Sequence, residues 1–155
     1  MGLEAFKAKL DAFQSVALDT AVFIYHFENN PVYVPLTREV FRRVEGGYLA
    51  AFTSTLTITE VLTGPKKAGD KGMVLEYQRL FHIFPNLRFL PVDEEMATIA
   101  ADLRAAFDIR TPDAIQLAAA RQVGTQAFIT NDERLKRVSG IEVLVLGQYA
   151  APSNG

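Results

Sequence analysis

The sequence predicts an α/β fold, a three-layer α/β/α arrangement around a mainly parallel central sheet of four to five strands. Short apolar runs alternate along the chain with segments whose apolar residues recur at helical spacing, the order that builds parallel strands joined by crossover helices. The runs Val16-Ala17-Leu18 and Ala127-Phe128-Ile129 contain no polar alternation, as befits strands covered on both faces. Asp19 follows the first run directly and Asp132 lies just beyond the second. Open α/β sheets bind ligands at such carboxyl ends.

Each element has its own reason. Leu3, Phe6, Leu10 and Phe13 have helical spacing and predict a leading helix over 3–13. Residues 15–18 form the first strand, and 20–27 a helix that ends before Asn29-Asn30-Pro31. A helix over 37–44 is stopped by Gly46-Gly47, and 48–53 reads as the second strand. A short helix over 56–62 is expected to stop at Gly64-Pro65. A loop over 64–72 then carries Lys66, Lys67 and Lys71 before a helix that runs to about Phe84. Residues 89–92 are strand-like. Asp93 caps a helix with Met96, Ile99, Ala100 and Leu103 on one face. Thr111 as N-cap and Pro112 at the first helical position start another. Strands over 127–130 and 142–146 complete the sheet, and 151–155 reads as a frayed tail. One domain over 1–155 is expected, with its core over about 15–147.

Composition narrows the class. The chain has 155 residues, 49% hydrophobic and 22% charged, with 11 Phe, 5 Tyr and no Cys. Disorder, structural disulfides and thiolate zinc sites are thereby excluded. No apolar run approaches the ~20 residues of a membrane span, and the first ten residues do not read as a secretory signal. A cytoplasmic location without membrane attachment is expected. The formal charge is -2, which does not advertise nucleic-acid binding. Setting four acids aside for a site leaves 14 of the 18 acids against 16 bases.

Those four acids are Asp19, Glu60, Asp113 and Asp132. Each also has a bland reading. Asp19 and Asp132 suit helix caps or turns, and Asp113 suits the positive end of a helix dipole. Glu60 sits among Ile58, Val61 and Leu62, which suggests a buried helix where an unpartnered carboxylate is costly. If the four converge, their repulsion calls for a divalent cation. His26 beside Phe27 and His82 between Phe81 and Ile83 read as residues at the core edge. Gly46-Gly47 fits no phosphate-binding spacing. A haloacid-dehalogenase-type phosphatase would want an acid where Ala21 stands, and a receiver domain would need an acid pair at the first strand.

Taken together, Leu18-Asp19-Thr20, Thr59-Glu60, Arg110-Thr111-Pro112-Asp113-Ala114 with Gln116-Leu117-Ala118, and Ile129-Thr130-Asn131-Asp132 with Leu135 form a pattern. The chain resembles the PIN-domain nucleases, most closely the VapC-type toxins of toxin–antitoxin systems, over about 16–146. The resemblance implies a PIN-like fold and assigns Asp19, Glu60, Asp113 and Asp132 to the family's acidic quartet, with Thr130 as its supporting hydroxyl. It implies a Mg2+- or Mn2+-dependent endoribonuclease that leaves 5′-phosphate and 3′-hydroxyl ends, a homodimer, and an antitoxin that occludes the site. An RNA-processing nuclease outside such a pair, or a silent RNA- or partner-binding module, is the alternative. Two departures stand out: Asp108 replaces an expected small residue or Gly, and Gln116 stands where the toxins often have His.

The chemistry suits the residues. Phosphodiester hydrolysis needs charge neutralised on the phosphate and a water activated near neutral pH, and hard cations that prefer carboxylate oxygen do both. Mg2+ usually keeps only one or two direct carboxylates. Asp19 and Asp113 are therefore expected as direct ligands, with Glu60 and Asp132 acting through water. Thr20 and Thr130 would orient the carboxylates. Lys66, Lys67, Lys71, Arg110 and Arg134 are expected to meet the RNA backbone.

Overall fold

The computed structural model describes residues 2–152. The strands are β1 (Ser15–Leu18), β2 (Ala50–Ser54), β3 (Leu87–Leu90), β4 (Ala127–Thr130) and β5 (Glu142–Val145). All pair in parallel, in the order β3-β2-β1-β4-β5. The chain thus winds outward in one direction from β1 to β3 and in the other from β4 to β5. The switch point lies between β1 and β4, where connections leave in opposite directions and open a crevice at the carboxyl ends.

Side-chain alternation divides the core into two layers. Val16 and Leu18 of β1, with Ala127 and Ile129 of β4, join Phe6, Leu10, Val22, Phe23, Val40 and Phe41 on one face. Ala17 and Phe128 point the other way, against Met96, Leu103, Leu117 and Ala118. The first layer comes from α1 (Leu3–Asp11), α2 (Thr20–Phe27), α3 (Val34–Glu45), α4 (Leu56–Lys67) and α5 (Lys71–Ile83). The second comes from α6 (Glu94–Phe107) and α7 (Thr111–Val123). The three-layer expectation holds with all five strands.

Several boundaries differ from the sequence reading. Gly64-Pro65 does not end α4, which continues to Lys67. Proline removes one N–H, a cost of about 3 kcal/mol in a helix interior. Here it falls in the last turns, where Val61 and Leu62 are already buried and the Ala68 N–H still reaches the Gly64 carbonyl. The expected lysine loop is therefore a helix end, a three-residue turn and a helix start. α3 begins at Val34 rather than 37, with Pro35 in its first turn where no N–H is needed. β2 is displaced to 50–54 because Tyr48 is exposed, and β3 to 87–90. α7 has Arg110 as its cap, which moves Thr111 and Pro112 inside the helix. Of the expected tail, Ala151 and Pro152 carry no regular structure, and 153–155 lie outside the described residues.

Asp108 ends α6 in the left-handed conformation, φ 50 and ψ 54, with its N–H bonded to the Arg104 carbonyl. Gly is the usual residue there. Asp108 is exposed. No helix among the described residues is long and apolar enough to cross a membrane.

Candidate functional site

The acids arrive by separate routes. Asp19 terminates β1 and caps α2, accepting the Thr20 N–H at 2.8 Å. Its own N–H bonds to the Ile129 carbonyl at 2.9 Å, which locks the end of β1 to β4. Asp113 lies in the first turn of α7, where the helix dipole favours an anion. Asp132 follows β4 and caps the 3-10 turn Glu133–Arg137. The cap readings are thus realised at Asp19 and Asp132. Glu60 departs from expectation: it projects from α4 on the exposed side, because Ile58 is only partly buried while Val61 and Leu62 turn inward.

Two hydroxyls tie the acids together. Thr130, fully buried, donates to Asp19 Oδ2 at 2.7 Å and accepts the Asp132 N–H at 3.1 Å. Thr20 donates to Glu60 Oε1 at 2.7 Å. Beneath them lies a buried polar network absent from the sequence reading. Gln116 Oε1 accepts from the Ser54 hydroxyl at 3.0 Å, while Nε2 donates to Thr20 at 3.1 Å and Thr57 at 2.9 Å. Thr53 joins through Thr57 at 2.7 Å. Gln116 is 1% exposed, and this departure from the expected His lies one hydroxyl away from Glu60. A Gln in an otherwise Ala- and Leu-rich helix, facing a hydroxyl-rich 53–57 segment, was the available signal. Asn131 also braces the corner after β4: it donates to the Tyr25 hydroxyl at 3.0 Å and accepts the Gly147 N–H at 2.8 Å.

The electrostatics record mutual repulsion. Burial, the dominant cause, pushes Asp19 up to about 6, assisted by the charges of Asp113 and Glu60 and opposed by hydrogen bonds from Thr130 and Thr20. Burial also raises Asp113, with Asp132 and Glu60 adding to it and Arg110 and Arg134 opposing. Asp132 goes the other way, held below the usual carboxylate range by Arg134.

The cations separate into two groups. Arg134 and Arg110 lean onto the acids while remaining exposed: Arg134 grips Asp132 at 2.7 and 3.0 Å, and Arg110 Nε is 3.7 Å from Asp113 Oδ2. Lys66, Lys67 and Lys71 are exposed at the α4–α5 turn. Among the described residues no ion pair joins these lysines to the acids. His26 stacks on Phe41 at 4.4 Å, while His82 is exposed rather than at the core edge.

Among the described residues, no three His, Asp or Glu side chains draw close enough to cage a metal ion by themselves. The donor chemistry nevertheless suits a hard cation. The residues offered are carboxylates on a scaffold of hydroxyls, with no thiolate, and Mg2+ takes few protein ligands and many waters. Asp19 and Asp113, both raised by burial and by neighbouring acids, are the two carboxylates a cation would relieve most.

The chain matches the PIN domain family over residues 16–141. No curated protein matches it. Among solved structures it is similar to a chain of the VapBC2 complex from Rickettsia felis, bound to a DNA fragment from their promoter, with 15% identity, 84% of this chain and 98% of that chain covered, and a TM-score of 0.68. It is also similar to a chain of DNA-bound VapBC from Salmonella typhimurium, at 22% identity, 85% and 98% coverage, and a TM-score of 0.67. A third is VapC20 of Mycobacterium tuberculosis, described as a Sarcin-Ricin loop cleaving toxin, at 14% identity, 73% and 86% coverage, and a TM-score of 0.58.

Proposed function

We propose that this chain, which belongs to the PIN domain family, acts as one domain and is a Mg2+- or Mn2+-dependent endoribonuclease, the toxin of a toxin–antitoxin pair. The observation that carries the reading is the hydrogen-bonded frame of Thr20 and Thr130, which holds Asp19 and Glu60 in mutual range with Asp113 at the sheet's switch point. Solved structures of similar fold include toxin–antitoxin complexes and a Sarcin-Ricin loop cleaving toxin, which supports RNA as substrate and an antitoxin as partner.

When bound, the cation supplies charge neutralisation at the phosphate and activation of water. Asp19 and Asp113 would hold it. Thr130 fixes Asp19 from behind, keeping its carboxylate in one orientation. Glu60, with Oε1 committed to Thr20, keeps its second oxygen for the attacking water. The Gln116 amide fills the space beneath and supplies the donor that the Thr20 oxygen accepts, so the Thr20 proton goes to Glu60. The lysines of the α4–α5 turn and Arg110 meet the RNA backbone. The protein is a cytoplasmic homodimer that its antitoxin silences by covering the acids.

Purified protein with Mg2+ or Mn2+ should cleave RNA, and Asp19→Ala or Asp113→Ala should abolish cleavage. Full activity in either variant overturns the assignment. Co-purification with the product of a short adjacent reading frame checks the antitoxin, and its absence moves the protein to RNA processing outside such a pair.

A further inference from the structure

The Asp132 carboxylate accepts three hydrogen bonds, all from Arg134. Oδ1 accepts the Arg134 backbone N–H and Nε, both at 3.0 Å, and Oδ2 accepts Nη2 at 2.7 Å. Its backbone is pinned as well, through the N–H that Thr130 accepts. Among the described residues the other acids accept fewer: Asp19 one on each oxygen, Glu60 on Oε1, while Asp113 has Arg110 at 3.7 Å, beyond hydrogen-bond reach. Availability of lone pairs therefore ranks Asp132 last as a metal ligand.

The guanidinium, by contrast, is only half used. Of its five N–H donors, the fork on Asp132 occupies the Nε–Nη2 edge with two, which leaves three for a second acceptor. The free edge suits the two oxygens of a phosphate. The Arg134 side chain is 67% exposed and that of Asp132 25%, so the Asp is the anchor and the Arg is the accessible partner. Holding a long arginine in one rotamer before the ligand arrives reduces the entropy lost on binding.

We infer that Asp132 is a positioning residue, not a metal ligand: it presents Arg134 to a phosphate of the RNA strand that enters the acidic site. This rests on the nuclease reading. It also sharpens that reading, because it divides the quartet into three acids that face the cation and one that faces the substrate through an arginine.

Charge bookkeeping makes the test decisive. Removing an acid from a polyanion-binding surface strengthens RNA binding unless that acid was holding a cation in place. Asp132→Asn keeps an oxygen for the Arg134 N–H and so preserves the turn. Its affinity for a short single-stranded oligoribonucleotide is measured in EDTA by fluorescence anisotropy, and its Mn2+ affinity by calorimetry. Arg134→Ala and the double variant are measured alongside. Asp132→Asn and Arg134→Ala should each weaken RNA binding by roughly five- to tenfold, the double variant should be no weaker than Arg134→Ala, and Mn2+ affinity should stay within about twofold throughout. RNA binding by Asp132→Asn that is equal or tighter overturns the inference, as does a roughly tenfold loss of Mn2+ affinity. A wild-type chain that binds neither Mn2+ nor RNA fails the nuclease reading itself, and the inference with it.

Discussion

Replacing Asp19 by Asn should stabilise the metal-free protein at neutral pH while removing its proposed activity. Burial first, and the charges of Asp113 and Glu60 after it, raise the Asp19 carboxyl from 3.8 to about 6 in the folded chain. The folded state therefore holds its proton more tightly than the unfolded one. Below about pH 4 the carboxyl is protonated in both states and Asp19 itself costs the fold nothing. As pH rises towards 6 the unfolded chain releases its proton first and stability falls; above 6 the loss levels off. Moving the carboxyl from 3.8 to about 6 corresponds to about 3 kcal/mol. Asn escapes that cost and keeps an acceptor for the Thr20 N–H, but its amide replaces the oxygen to which Thr130 donates. One lost hydrogen bond offsets about 1 kcal/mol. The net gain is about 1–2 kcal/mol near pH 7.5, or a Tm increase of about 2–4 °C per kcal/mol. Urea and thermal unfolding in EDTA at pH 4 and pH 7.5 measure it. The gain should vanish or reverse at pH 4, where the wild-type carboxyl is already neutral. Added Mn2+ should raise the wild-type Tm and leave the variant's unchanged. A variant less stable than wild type at pH 7.5, or an offset independent of pH, would refute the account of Asp19 as a buried acid awaiting a cation.

Thr130→Val removes the hydroxyl behind Asp19 and should weaken Mn2+ binding by about 10–100-fold with little change in secondary structure, read by calorimetry and circular dichroism. Gln116→Leu leaves the Ser54 and Thr57 hydroxyls short of partners in a buried site and should cost about 1–3 kcal/mol in urea unfolding, whereas Gln116→Ala adds a cavity and should cost more. Glu39 is buried between Arg42 and Arg43, whose hydrogen bonds hold it down at about 2. Its contribution is present above about pH 4.5 and should be lost as pH falls towards 2; Glu39→Ala, which leaves the half-buried Arg43 with Asp11 as its remaining acid, should flatten that limb of the stability profile. His26, lowered to about 4 by burial and by Arg38, stays neutral in the fold. It adds a second loss of stability between about pH 6.5 and 4, which His26→Phe should abolish in acid titrations followed by fluorescence.

The repeating order of apolar runs and helical patterns was enough to specify the layers, because strands buried on both faces leave little freedom of side-chain type and their apolar runs stand out. The ends of β1 and β4 were read to the residue for the same reason. Boundaries set by weaker forces were not. Gly64-Pro65 looked like a stop, yet packing of Val61 and Leu62 outweighs one missing N–H near a helix end. Glu60 looked buried from its neighbours, but the helical phase turns Val61 and Leu62 inward and leaves Glu60 outside.

The sequence alone determined which acids stand at strand ends and helix starts, since those positions follow from local pattern and capping chemistry. It could not determine what each acid touches. The Thr20 hydroxyl serves Glu60 while its N–H serves the neighbouring Asp19, and Gln116 reaches across from α7 to α2, α4 and β2, because the switch point brings those elements together. Arg134 and Asp132 are two residues apart in the chain, yet only the 3-10 turn after β4 folds the guanidinium back onto the carboxylate. Local pattern is set by short-range sterics and burial. Partnership among polar groups is set by the convergence of distant elements, and that convergence exists only once the sheet has formed.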